Sequence, residues 1–210
     1  MTKYLIFTLS VMTACSSLPS IDYLDYAKSS FNYVSGRNNY NITQEYFDAQ
    51  EYSFLKLRIG RSSPIIMVLA YVNDGIYEWV SADNKKLYTY SGKVIESRGF
   101  MNDFKIQYPQ SKIKNFLSTL EMNYAVDFFQ PQLFNLNVNT IIVQNTKSSS
   151  YMRLNHNELF KGYREDISAP LIGWKAKNYY YYDSEGKIFK TIQNIHPRIP
   201  TLDIEYYIKL

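Results

Sequence analysis

The sequence predicts a mainly β, single-domain fold: a curved antiparallel meander sheet folded on itself, sandwich-like or half-barrel-like, with an N-terminal helix and one or two short helices. Three observations predict it. Apolar Leu55, Leu57 and Ile59 alternate with Lys56 and Arg58, and Ile204, Tyr206, Ile208 and Leu210 alternate with Asp203, Glu205, Tyr207 and Lys209. A period of two marks strands with one buried face. Turn signals recur at roughly ten-residue spacing through the first half of the chain, as in a meander. Aromatics make up 17% of the residues, with 21 Tyr and 12 Phe, and both types favour strands.

Taken in order, Ser20 is placed to cap a helix over Ile21 to Val34. Ile21, Leu24, Phe31 and Val34 form one stripe, Asp22 and Asp25 sit in the first turn, and Gly36 offers a C-cap. Arg37 to Thr43 is polar and Asn-rich, hence a loop, and the period changes to two from Glu45. The strand at Leu55 to Ile59 ends at Gly60, and Ser62-Ser63-Pro64 turns the chain into the apolar run Ile65 to Val72. Asn73-Asp74-Gly75, Asp83-Asn84 and Ser91-Gly92 then separate strands at Ile76 to Ala82, Lys86 to Tyr90 and Lys93 to Arg98.

Gly99 to Asp103 interrupts the pattern. Ile113, Phe116, Leu117 and Leu120 fit a short amphipathic helix. Met122 to Phe129 and Val138 to Gln144 read as strands, Asn145 to Ser150 as a soft loop, and Tyr151 to Ile167 fits neither period. Leu171 to Lys177 is expected to be extended, as is Asn178 to Asp183. The loop Asp183-Ser184-Glu185-Gly186 leads into a strand over Lys187 to Asn194. Pro197 and Pro200 bracket the approach to the terminal strand.

The N-terminus reads as an export signal: Lys3, an apolar run from Tyr4 to Val11, then Met12-Thr13-Ala14-Cys15. The run is too short for a membrane-spanning helix. Small residues before a cysteine resemble the lipobox of bacterial lipoprotein precursors, with Met12 where leucine is usual. In that family the cysteine is acylated and the preceding peptide removed. Cys15 is the only cysteine, so no disulfide can form within the chain. The expected division is a signal peptide over 1–14, a lipidated tether over 15–20 and one β domain over 21–210. Membrane attachment through the lipid follows, and Ser16 after the cysteine favours the outer membrane in enteric-type lipoproteins.

The formal net charge is +4, with Lys and Arg interleaved among Asp and Glu. That distribution lacks the basic stripe of a nucleic-acid binder. His156 and His196 are the only histidines, and no ligand spacing suggests a metal or a cofactor. No Gly-rich phosphate loop or nucleophile elbow occurs. Asp83, Asp103, Asp127 and Asp183 fall at turns or strand ends, and paired carboxylates are the one catalytic option with residues behind it. Aspartates are also common at turns, where they bond nearby amides. Tyr77 and Trp79 share a strand face, Tyr88 and Tyr90 another, and Tyr179 to Tyr182 place two tyrosines on each face. Such ladders suit stacking on sugar rings, and they also stabilise cross-strand pairs.

Two blocks carry a wider resemblance. Gly75-Ile-Tyr-Glu-Trp79-Val-Ser-Ala-Asp83 continues through Tyr90-Ser-Gly92-Lys-Val94 to Arg98-Gly99-Phe-Met-Asn102-Asp103. The second block is Asn178-Tyr-Tyr-Tyr-Tyr182-Asp183 with Gly186-Lys-Ile-Phe-Lys-Thr-Ile-Gln193 and Pro197. With the lipobox, they resemble the YjbF/GfcB-type lipoproteins encoded with exopolysaccharide and group 4 capsule loci of Gram-negative bacteria. Tyrosines fill aromatic positions where that family often has Trp. The resemblance implies an outer-membrane lipoprotein facing the periplasm and acting in surface-polysaccharide assembly or export. An outer-membrane β-barrel protein and periplasmic proteins of the same locus are its implied partners.

It brings no catalytic residues. The expected glycan or partner surface is Trp79, Arg98, Asn102, Asp103, Tyr182, Asp183 and Gln193. The expected function is a non-catalytic binding or assembly factor for export. Two alternatives stay open: a glycan-modifying enzyme using paired carboxylates, and a periplasmic lipid or lipoprotein carrier.

Overall fold

A computed structural model describes residues 41–107, 120–154 and 156–209. The signal peptide, Cys15 and the expected helices around Leu24 and Phe116 lie outside these residues. The first described element is a helix, α1 (Gln44–Ala49), where a loop giving way to a strand period was expected. Thr43 starts it by accepting the Tyr46 N–H at 3.1 Å, and Glu45 occupies the dipole-favoured first turn.

Twelve strands follow: β1 (Phe54–Ile59), β2 (Ile65–Asn73), β3 (Ile76–Ser81), β4 (Lys86–Tyr90), β5 (Lys93–Arg98) and β6 (Phe104–Gln107) form the first half. β7 (Glu121–Phe129), β8 (Gln132–Arg153), β9 (His156–Ala169), β10 (Trp174–Tyr182), β11 (Ile188–Gln193) and β12 (Leu202–Tyr207) form the second. Each pairs antiparallel with its sequence neighbours, and β12 returns to pair with β1 from Phe54↔Tyr207 to Ile59↔Leu202. The predicted meander is present, but it closes into a barrel rather than stopping at a sandwich or half-barrel. Closure gives every one of these strands a partner on both sides over at least part of its length. Alternate turns lie at opposite ends of the barrel. The entry rim, where β1 begins, carries the turns at Asp74-Gly75, Ser91-Gly92 and Asp183 to Lys187. The far rim carries Gly99 to Asp103 and the β3–β4, β7–β8, β9–β10 and β11–β12 connections.

The interior is filled by inward side chains. Leu55, Leu57, Met67, Trp79, Leu87, Phe104, Phe128, Leu202, Ile204 and Tyr206 are all almost fully buried in one cluster. The wall also touches itself across the barrel at the β4–β5 turn. Gln193 accepts the Val94 N–H at 2.9 Å and donates to the Gly92 carbonyl at 2.7 Å, which also accepts the Tyr206 hydroxyl at 3.0 Å. Walls tied this way enclose a packed core rather than an open lumen.

Three strand assignments differ from expectation. β6 was not expected, and it is only four residues long. A 3-10 turn at Pro170–Ile172 precedes β10 where an extended segment from Leu171 was expected. β8 runs straight through the expected loop at 145–150 to pair with β9. Among the described residues, no strand flanks that hairpin beyond Ile141 and Lys161, so the pairing partners there set no apolar period. It folds back instead: Phe160 meets Tyr181 and Phe189 edge-on, and Leu154 packs with Ile42, Phe54 and Tyr207.

Candidate functional site

An aromatic cleft of about 340 Å³ opens at the entry rim. Two tight turns shape it. Asp74 and Gly75 both have positive φ, as do Ser91 and Gly92, the geometry of two-residue hairpin turns that match strand twist. A Cβ on Gly75 would lie 2.9 Å from the Tyr90 ring, and one on Gly92 would lie 2.6 Å from Ile188 Cγ1. Both glycines therefore allow an aromatic or aliphatic side chain to close down on the backbone.

β3 supplies the floor. Tyr77 and Trp79 stack at 6.0 Å between centroids and 13° between planes. The Trp79 indole N–H donates to the Thr89 hydroxyl at 2.9 Å, and its ring meets Tyr206 edge-on. Tyr182 forms the opposite side. Its hydroxyl donates to the Ser91 carbonyl at 2.6 Å, and its ring stands edge-on to Tyr163 at 5.6 Å. Burial pushes the Tyr182 and Tyr206 hydroxyls well above the usual range, so both stay protonated donors. Tyr77, Tyr90 and Ile188 are half-buried and line the same cleft, with Lys187 at its edge. Among the described residues, no carboxylate or imidazole lines it. The cleft can offer ring faces, phenol hydroxyls and one ammonium, but no acid–base couple.

Of the expected surface residues, only Trp79 and Tyr182 line this cleft, and Trp79 is 1% exposed. Gln193 is fully buried and ties the β4–β5 turn to β11. Asp183 accepts the Glu185 and Lys187 N–H groups at 2.9 and 2.8 Å and so shapes its own hairpin. Arg98, Asn102 and Asp103 belong to the far rim. Asp103 accepts the Gly99 and Phe100 N–H groups and the Ser97 hydroxyl, which fixes that turn. Arg98 pairs with Glu96 and lies over the Tyr88 ring. The structure thus brings two of the seven together at the cleft and sets three at the other end.

The remaining aspartates are similarly occupied. Asp127 accepts the Asn135 N–H and the Gln107 amide, and Asp83 pairs with Lys85, which holds its carboxyl below the usual range. No cluster of three metal-ligating side chains occurs among the described residues. Tyr179 and Tyr181 border a separate groove of about 270 Å³ with Val143 and Arg164.

The sequence missed a buried polar cluster built on Lys93, Glu165 and Asn178. Two signals were present: Lys93 and Asn178 both fall inside the blocks carrying the family resemblance. His196, at the far rim, is 1% exposed, lies 4.3 Å from Phe128 and accepts the Arg198 N–H at Nδ1. Burial pushes its pKa down to about 4. The unfolded value is about 6.5, so between these limits the unfolded chain binds a proton that the folded chain refuses. Stability should therefore fall as pH drops from about 6.5 to about 4. His196→Asn should flatten that part of a plot of thermal midpoint against pH; an unchanged slope would count against it.

A family model described as "Group 4 capsule polysaccharide lipoprotein gfcB, YjbF" matches residues 29–207. A search of curated proteins finds no match. Among solved structures, the hypothetical lipoprotein YmcC from Escherichia coli (K12) is similar at 15% identity and TM-score 0.66. The alignment covers 93% of this chain and 99% of that one, a likeness of fold. A lipoprotein from Parabacteroides distasonis ATCC 8503 aligns at 12% identity over 76% of this chain and 95% of that one. Its TM-score of 0.34 is too low to argue from. Among the described residues, no helix is long and apolar enough to cross a membrane.

Proposed function

We propose, for a chain that belongs to the YjbF family of group 4 capsule polysaccharide lipoproteins, a non-catalytic role in capsule or exopolysaccharide export: binding the glycan at the entry-rim cleft. The observation that carries the reading is an open space of about 340 Å³ lined by the half-buried rings of Tyr77 and Tyr90, with Tyr77 held in place by stacking on the buried Trp79. A sugar presents an apolar C–H face and a ring of hydroxyls. Aromatic faces match the first, while phenols and backbone carbonyls match the second. Hydrolysis needs two carboxylates across the scissile bond, and none lines the cleft among the described residues, which favours binding. The packed interior likewise weighs against a lipid carrier.

In this reading Cys15 carries the lipid, and the protein stands at the periplasmic face of the outer membrane. There it works beside a β-barrel export protein and periplasmic proteins of its locus. Tyr77→Ala combined with Tyr90→Ala should weaken binding of the purified surface polysaccharide about tenfold, or about 1.4 kcal/mol, with the fold retained by circular dichroism. Calorimetric titration reads this directly, and equal affinity in variant and parent would remove the cleft from consideration. In cells, Cys15→Ser should leave the protein soluble or unprocessed and reduce surface polysaccharide; a variant whose signal peptide is removed and that still stays in the carbonate-washed membrane fraction would refute the anchor.

A further inference from the structure

Lys93, Glu165 and Asn178 are 3%, 0% and 2% exposed, and all three side chains meet inside the barrel. Such a set is costly to bury unless each member has partners. Here one carboxylate serves the other two. Glu165 Oε1 accepts from the Lys93 amine, while Oε2 accepts from the Asn178 amide nitrogen at 3.1 Å and the Tyr180 hydroxyl at 2.7 Å. The other end of the Asn178 amide is also held, because its Oδ1 accepts the Asn194 N–H at 2.7 Å.

Lys93 and Asn178 line the same internal void of about 20 Å³, walled by Phe104, Val126, Ile167 and Trp174. That is room for about one water molecule, and for a side-chain amine to shift.

We propose that Lys93 and Asn178 join through a spontaneous isopeptide bond, with Glu165 as the proton carrier. The three residues hold the parts this condensation requires. The nucleophile is the Lys93 amine, and burial lowers its pKa, which helps the neutral form to appear. Glu165 takes one proton from the ammonium. The freed lone pair attacks Asn178 Cγ, forming the Nζ–Cγ bond and placing negative charge on Oδ1. The Asn194 N–H, already bonded to that oxygen, stabilises the charge.

Glu165 then passes its proton to the Asn178 nitrogen, to which it is already hydrogen-bonded, and recovers one from Nζ. The Cγ–Nδ2 bond breaks with its electron pair, and ammonia leaves. The products are a secondary amide, ammonia and a neutral Glu165 carboxyl bonded to the new amide. Protons and charge balance, and nothing is oxidised or reduced. The void admits about one water molecule, so little solvent competes for the tetrahedral centre. The bond would tie β5 to β10 across the barrel, beside the turn that shapes the cleft.

The full-length protein, purified from cells and digested without reduction, tests this by mass spectrometry. A branched peptide should appear that contains both Lys93 and Asn178 and is lighter than its two linear components together by one ammonia. Fragmentation must place the link at these two residues, because a cyclic imide at an asparagine loses the same mass without branching. Glu165→Gln should abolish the branched peptide. Asn178→Asp should restore a branch formed with loss of water instead. Recovery of Lys93 and Asn178 only in separate linear peptides from the unaltered protein would overturn the proposal, whatever the variants do.

Discussion

In protein that has not formed the Lys93–Asn178 bond, Glu165→Leu is expected to lower the unfolding free energy by about 3–5 kcal/mol, the usual effect of removing one partner from a buried charge pair. The carboxylate is fully buried and accepts hydrogen bonds from Lys93, Asn178 and Tyr180. A leucine fills similar space but accepts none of them. It takes the nearest counter-charge from Lys93 and leaves an amide and a phenol to find other acceptors in an apolar interior. Urea unfolding of the purified domain measures the loss. The double variant Lys93→Met/Glu165→Leu is the control, because replacing both charges with apolar groups removes the desolvation cost together with the attraction. It should recover most of the loss relative to the unlinked parent. A single variant within about 1 kcal/mol of the parent would show that the cluster is not rigidly buried.

Gly92→Ala is the second large effect, expected at about 2–5 kcal/mol, from left-handed backbone strain together with overpacking. At φ +81° the new Cβ would lie 2.6 Å from Ile188 Cγ1, 2.9 Å from its Cδ1 and 3.3 Å from Thr191 Cγ2. Ile188 cannot simply swing away, since it packs against the central core and the Tyr180–Tyr182 cluster. Moving the turn instead would strain the bonds from Gln193 and Tyr206 to the Gly92 carbonyl and that from Tyr182 to Ser91. Gly186→Ala separates the two causes: it has the same φ of +81°, with nothing within 4 Å of the added Cβ. It should show only the backbone part, about 1–2 kcal/mol. Equal losses in the two variants would mean that the contact with Ile188 relaxes freely.

Much of the sheet was legible because its cause is local. Asn73-Asp74-Gly75 and Ser91-Gly92 are turn sequences for positive φ, and the structure places those conformations there. Leu202, Ile204 and Tyr206 alternate in burial with Asp203 and Glu205 because one face of β12 meets the core. The cleft was legible only in part. The sequence singled out Trp79 and Tyr182 for their aromatic character, and both line it. It also grouped Arg98, Asn102 and Asp103 with them, since proximity along one block of family resemblance reads the same whichever way the strand points. β5 separates the Ser91-Gly92 turn from Arg98 by its whole length, so these residues reach opposite rims.

The sequence by itself determined most of the strands and turns between Leu55 and Arg98, the predominance of β structure and the family, because these depend on residue periods and short spacings. Closure into a barrel was decided only in three dimensions. The pairing of Phe54 with Tyr207 spans nearly the entire domain and depends on twist accumulated over every intervening strand. The inner polar cluster was hidden for the same reason. Lys93, Glu165 and Asn178 lie on β5, β9 and β10, and each looks like an ordinary solvated residue until folding removes the water and turns Lys93 and Asn178 toward the Glu165 carboxylate.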